Sequence, residues 1–326
     1  MAAPPISISP RQFEFAEMNL IHSGSPALTL KLAQRAVLMG YDTFVINRDI
    51  GDHFAPELHE DDEPEEPQPK KKKKQKNAVG IPDPFLVDLS KIDSKQLENN
   101  GRRLRQFSRL TVTLNDADYV HNLFMDPQVK KYDLLAIRPG DLQIFNILQR
   151  KCDSFDIITY EATERVEWMK FSRQIRALQK EGVSFEITYV PALGDSHSRR
   201  MVLANGRSLF HSLANKGIIF ASGARDVIDI RGPYDAMNML TLFGIKPSIA
   251  KTYLSAFQRL CLLRCESKHS VKGAVAVHSL DNVPSSALAP KCALQRLLQV
   301  PEFRAQIEKL PPRPTPAEDP ATMDQA

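Results

Sequence analysis

Four arginines, Arg102, Arg103, Arg105 and Arg109, fall within eight residues that contain no acid. Arg199 and Arg200 adjoin in Asp195-Ser196-His197-Ser198-Arg199-Arg200, Arg225 follows closely on Ser222-Gly223, and Arg231 precedes Gly232-Pro233. A planar guanidinium forks onto phosphate oxygens or stacks on a base, so these residues suit structured RNA read by shape and backbone. The competing reading is an internal salt bridge near the end of a strand. For Arg231 the flanking Asp229 and Asp235 favour such a brace. For Arg199, Arg200 and the cluster at 102–109, contact with RNA or a partner is favoured.

Other chemistry is poorly served. A metal-dependent phosphoesterase needs several His and acidic ligands converging on bound metal ions. Barrels of the polymerase-and-histidinol-phosphatase type open with His-x-His after the first strand, where this chain has Glu17-x-Asn19. His22, His53, His121, His197 and His211 are scattered, and His121 and His211 fall in predicted helices. The glycines of Leu193-Gly194-Asp195 and Ser222-Gly223 stand singly and read as turns, not as a phosphate loop. Cys152, Cys261, Cys265 and Cys292 form no CxxC, so no zinc site is expected. The chain itself is expected to carry no catalytic residue, metal or cofactor.

The elements that must position the arginines follow an αβ rhythm. Strands are predicted at 13–20, 43–47, 109–114, 134–137, 156–160, 185–190 and 218–221, with helices between them. Ser25-Pro26 and Asp141 read as helix starts, and Gly40, Gly217 and Gly244 as stops. Strand–helix–strand within about thirty residues is a βαβ unit and implies parallel pairing. Seven such strands predict a TIM-like (β/α) barrel, seven-stranded or irregular, with an open doubly wound sheet as the alternative. The residues following the strands would form its working rim: Glu17 and Asn19; Asn47, Arg48 and Asp49; Asn115 and Asp116; Arg138; Glu161; Asp195 with His197, Arg199 and Arg200; and Ser222 with Arg225.

Composition bounds the rest. With 326 residues and 42% hydrophobic content, a sizeable core is available. The net charge is +4, but seven acids crowd residues 57–66 and six lysines residues 70–76. Too little apolar surface lies there to offset the entropy of ordering, so 54–100 is expected to be a charged, disordered insertion, with a short strand possible only at Phe85-Leu86-Val87. Lys70, Lys71, Lys72, Lys73, Lys74 and Lys76 resemble a nuclear localisation signal. Residues 1–12 are expected as a flexible arm, and 266–326 as a mostly disordered tail with helical apolar spacing at 292–310. The barrel would thus comprise 13–53 and 101–265. No apolar run nears the roughly 18 residues of a membrane span, and MAAPPISISP has neither a basic start nor an apolar stretch, so a soluble protein of a reducing compartment is expected.

The most specific stretch is 218–263. Its strand ends in Ser222-Gly223-Ala224, followed by Ile230-Arg231-Gly232-Pro233-Tyr234-Asp235 and Leu240-Thr241-Leu242-Phe243-Gly244-Ile245. With Phe13-Glu14-Phe15-Ala16-Glu17-Met18-Asn19-Leu20, Gly40-Tyr41, Val45-Ile46-Asn47, Arg109-Leu110-Thr111 and the run 195–200 in order, the chain resembles the thirty-kilodalton protein subunit of eukaryotic and archaeal ribonuclease P, shared with RNase MRP. Gly232 is expected at positive φ or close backbone approach, Pro233 in a first helical turn, Tyr234 as a packed anchor, and Asp235 at a helix N-terminus. One helix is expected to start near Pro247-Ser248, with Tyr253, Leu254, Phe257, Leu260 and Cys261 on one side.

The resemblance implies a non-catalytic RNA-binding subunit of a nuclear, nucleolar ribonucleoprotein. The RNA, with Mg²⁺, would cleave the 5′ leader from precursor tRNA, which the protein would meet only indirectly. Partners would be ribonuclease P RNA, RNase MRP RNA and other protein subunits, among them a small RNA-recognition-like one. Two rivals stand beside it: the metal phosphoesterase, and a nuclear interaction scaffold that never touches RNA.

Overall fold

Apolar runs such as Ile218-Ile219-Phe220-Ala221, buried on both faces, belong in the middle of a covered parallel sheet. The computed structural model describes residues 15–52, 80–100, 102–214 and 216–268. It has β1 (Ala16–Ile21), α1 (Pro26–Leu38), β2 (Thr43–Asp49), α2 (Lys95–Asn99), β3 (Arg105–Leu114), α3 (Ala117–Met125), β4 (Leu134–Pro139), α4 (Leu142–Gln149) and β5 (Ile157–Ile158). Then come α5 (Ser172–Lys180), β6 (Ser184–Thr188), α6 (Val190–Leu193), α7 (Ser196–Leu213), β7 (Ile218–Ala221), α8 (Pro233–Leu240), α9 (Pro247–Leu254) and α10 (Ala256–Lys268). The seven strands are parallel and pair in chain order, forming the expected TIM-like barrel.

Alternation along each strand makes two cores. Phe44, Ile46, Leu110, Val112, Phe185 and Ile187 pack outward with helix residues such as Leu32 and Ala36. Val45, Phe107, Leu134, Ala136, Ile157 and Ile219 form a second cluster with Cys261, Leu262 and Cys265 of α10. Helix α10 closes the barrel mouth where the strands begin. Gln258 accepts from the Ala16 N–H at 3.3 Å, the Cys265 thiol lies 2.8 Å from the Asp133 carbonyl, and Lys268 reaches the Asp156 carboxylate at 2.6 Å.

The barrel is not fully laced. Among the described residues β1 and β7 share no ladder; just beyond β7 an isolated bridge joins Leu20 to Ala224, with the Ile21 N–H donating to the Ala224 carbonyl at 2.9 Å. At the opposite, C-terminal end of the strands, caps fix the helix starts. The Ser25 hydroxyl accepts from the Leu28 N–H, and the Asp195 carboxylate accepts from the N–H groups of His197 and Ser198.

Two expectations change. Residues 81–100 are not part of an unstructured insertion, nor is there a strand at 85–87. Ile81, Val87, Ile92 and Leu97 are buried, and the Gln106 side-chain amide both accepts from and donates to the Val87 backbone. The helix expected from 247 onward is broken at Ser255 (φ −131°, ψ −80°), which lets α10 turn across the barrel mouth. Trp168 precedes α5 in a separate turn, where its ring stacks on Phe145 at 4.7 Å. The arm at 1–12, the acidic run, the lysines at 70–74 and 76, and the apolar spacing at 292–310 lie outside the described residues.

Candidate nucleic-acid interface and the polar barrel interior

Glu17, Asn19 and Asn47, expected on the rim, are buried within strands. Asn19 and Asn47 join a closed circuit inside the barrel. Arg109, with no exposed surface, forks onto Glu186 at 2.5 and 2.6 Å and donates through Nε to Thr111 at 3.2 Å. Thr111 donates to the Asn47 carbonyl oxygen at 2.7 Å, Asn47 to Asn19 at 2.8 Å, and Asn19 to Glu186 at 3.2 Å. The Met18 carbonyl takes a further Arg109 N–H at 3.1 Å. A buried charge is tolerable when paired and fully hydrogen-bonded, and here each group satisfies the next.

Glu17 works at the open seam. Its carboxylate accepts the Ser222 N–H at 2.9 Å and the Asn19 N–H at 3.1 Å, standing in for ladder bonds that β1 and β7 do not make. Burial raises its pKa to about 7, outweighing the hydrogen bonds that pull the other way. Outside the seam, Tyr41 donates its hydroxyl to the Arg231 carbonyl at 3.1 Å, and the Tyr189 hydroxyl accepts the Arg231 N–H at 3.0 Å.

The arginines therefore divide. Arg109 is an interior structural cation, not an RNA contact. Arg105 is also buried, and burial lowers its pKa despite the nearby Glu266 and Asp42 carboxylates, so it offers no free surface either. Arg102 is half-buried and Arg103 exposed, both just before β3 at the barrel's N-terminal end. Arg138, at the end of β4, is partly covered and donates to Asp49 and Thr113, each at 3.0 Å. Arg199 and Arg200 are exposed on the first turns of α7, where they donate to the carbonyls of Ala192, Gly194 and Ser196. These bonds orient the guanidiniums without neutralising them. Arg225 is exposed beyond the β7 end.

Arg231 corrects the brace reading. Its side chain is exposed and, among the described residues, pairs with neither Asp229 nor Asp235; its backbone does the bracing through the two tyrosines. Gly232 has φ −62°, and a β-carbon there would meet nothing nearer than 3.4 Å, so neither positive φ nor close approach explains it. Pro233 does sit in the first turn of α8 with Asp235 beside it. Tyr234 is 64% exposed and meets Phe15 edge to face, so it is no buried anchor.

Among the described residues, no group of three or more His, Cys, Asp or Glu is placed to hold a metal ion. His22 is bonded to Thr29 at 2.6 Å and stacked on Phe85, while His121, His197 and His211 are exposed and apart. His53 lies outside the described residues. Periodicity alone could not have separated Arg109 from the rim arginines, because its partner Glu186 lies 77 residues away.

The family described as RNase P subunit p30 matches residues 14–270. The chain is similar to protein GAMETOPHYTE DEFECTIVE 1 of Arabidopsis thaliana, with 27% identity over 79% of this chain and 43% of that protein. It is similar to ribonuclease P protein subunit p30 of Mus musculus, with 26% identity over 55% of this chain and 67% of that protein. The match thus spans less than half of the plant protein and about two thirds of the mouse one. A chain in the cryo-EM structure of archaeal ribonuclease P with mature tRNA shares the fold, with TM-score 0.51 and 15% identity over 82% of this chain and 100% of that one. With most of its length inside the family match, the chain belongs to the RNase P subunit p30 family.

Proposed function

We propose that this chain is a non-catalytic protein subunit of ribonuclease P, shared with RNase MRP, that neutralises and braces the RNA. The RNA, with its own Mg²⁺, removes the 5′ leader from precursor tRNA. The observation that carries the reading is the division of arginines. Interior polar groups are consumed by one another around Arg109 and Glu186, while Arg199, Arg200, Arg225 and Arg231 stand in solvent without carboxylate partners among the described residues. An interior of this kind supports a scaffold, and unpaired exposed guanidiniums support phosphate contact. Other protein subunits, including a small RNA-recognition-like one, are further partners on this reading.

Purification of the tagged chain from its own cells, with sequencing of bound RNA, is expected to enrich ribonuclease P RNA and RNase MRP RNA. Recovery of neither overturns the proposal. Nuclear and nucleolar residence is part of the same reading and rests on Lys70–Lys74 and Lys76. Replacing these six with alanine is expected to move the free protein toward the cytoplasm; unchanged nuclear accumulation overturns that part.

A further inference from the structure

Helix α5 reads Ser-Arg-Gln-Ile-Arg-Ala-Leu-Gln-Lys, with no acid between its ends. Ile175 and Leu178 are buried, which fixes the opposite face outward. That face carries Arg173, Arg176 and Lys180 at helical spacings of three and four, all exposed. The three span about 10 Å along the axis. With the small side chain of Ala177 they line a shallow depression of about 360 Å³ that no acid among the described residues borders. Arg176 is tethered through Nε to the Ser212 carbonyl at 2.6 Å, which orients the remainder of its guanidinium. Arg173 and Lys180 make no hydrogen bond or ion pair among the described residues.

This stripe differs from the paired basic groups of the barrel and, unlike the rim arginines, sets three cations on one helix face. Arg138 is paired with Asp49, and Lys268 with Asp156. On α5 three adjacent cations have no carboxylate partner among the described residues and surround a floor low enough for a sugar–phosphate strand to approach. Like charges at this spacing repel, and an anion between them relieves the repulsion.

We infer that the outer face of α5 is an RNA-backbone contact surface, with Arg173, Arg176 and Lys180 each facing phosphate. The inference rests on the RNA-subunit reading above and extends it from the rim to the barrel's flank. The occupant is RNA backbone, not an acidic protein segment, because the described lining is three cations and Ala177, fork-shaped and point-charge donors with no aromatic or branched apolar side chain to anchor a peptide.

The test uses the assembled ribonucleoprotein with the full-length chain. A photo-crosslinking amino acid in place of Ala177 is expected to label the RNA. Arg173→Ala/Lys180→Ala, which leaves the tethered Arg176 intact, is expected to preserve the melting temperature. It should also lower the slope of log affinity against log salt by about 1.5 to 2. Labelling of protein alone, or an unchanged slope, overturns the inference while wild-type RNA retention leaves the subunit reading standing. If the wild-type chain retains no ribonuclease P or MRP RNA, both fall together.

Discussion

The barrel interior and the exposed start of α7 each hold arginines that look alike in sequence. Arg109 sits among basic neighbours with no nearby acid, as Arg200 sits beside Arg199. In the folded chain Arg109 is enclosed and bound by Glu186, Thr111 and Met18, whereas Arg199 and Arg200 are exposed and, among the described residues, hydrogen-bond only to backbone carbonyls. A local excess of positive charge thus indicates an interface only when the long-range partner is missing. In a parallel barrel that partner comes from a strand far along the chain.

The hardest way to break this contrast is Glu186→Ala. It leaves the Arg109 guanidinium buried without its counter-charge, and a loss of about 3–5 kcal/mol is expected in urea denaturation. Stability within experimental error of wild type would mean that the circuit does not hold the interior.

Glu17→Gln sharpens the comparison by pH. The Glu17 pKa is about 7 when folded against 4.5 unfolded, so the folded state binds the extra proton between those values. Its contribution to stability is full below pH 4.5 and is lost as pH rises through about 7. Asp42 and Glu266 are also raised to about 7 by burial and act in the same direction, so the variant must be read against wild type at each pH. At pH 8 the glutamine variant is expected to be more stable by up to about 3 kcal/mol, a gap that closes on acidification to pH 5. A constant gap across that range would sink the assignment.

The rim gives the opposite signature. Arg199→Ala/Arg200→Ala is expected to leave stability within about 0.5 kcal/mol while weakening RNA binding and reducing its salt slope by one to two. Calorimetry and filter binding on the same preparation separate the two readouts; a large fall in melting temperature would place these residues with Arg109. The smallest effect is expected for Gly232→Ala. With φ −62° and the nearest atom, an Asp235 carboxylate oxygen, at 3.4 Å, the change should cost less than about 0.5 kcal/mol.

Much of the fold was legible because its signals are local. Apolar runs marked all seven strands, Ser25 and Asp141 stood at helix starts, though of these two only Ser25 makes a side-chain cap bond, and Pro233 and Gly244 bounded the segment after β7. Residues 81–100 were misread because Ile81, Val87, Ile92 and Leu97 are too widely spaced to show a period, yet each finds a place against the barrel. The α5 stripe had a usable signal, three cations at helical spacing without an acid, that the strand-end view of a barrel passes over.

The sequence by itself determined the alternation of strands and helices, the family motif and the absence of a His-x-His opening, because propensity, capping and order are properties of neighbouring residues. Only the tertiary structure decided which polar groups face one another. Arg109 met Glu186 across 77 residues, Glu17 met Ser222 across 205, and the Arg231 backbone met Tyr41 across 190. Whether a charged side chain becomes a brace or a contact depends on burial and on partners brought together by barrel closure, and neither is encoded in the residues beside it.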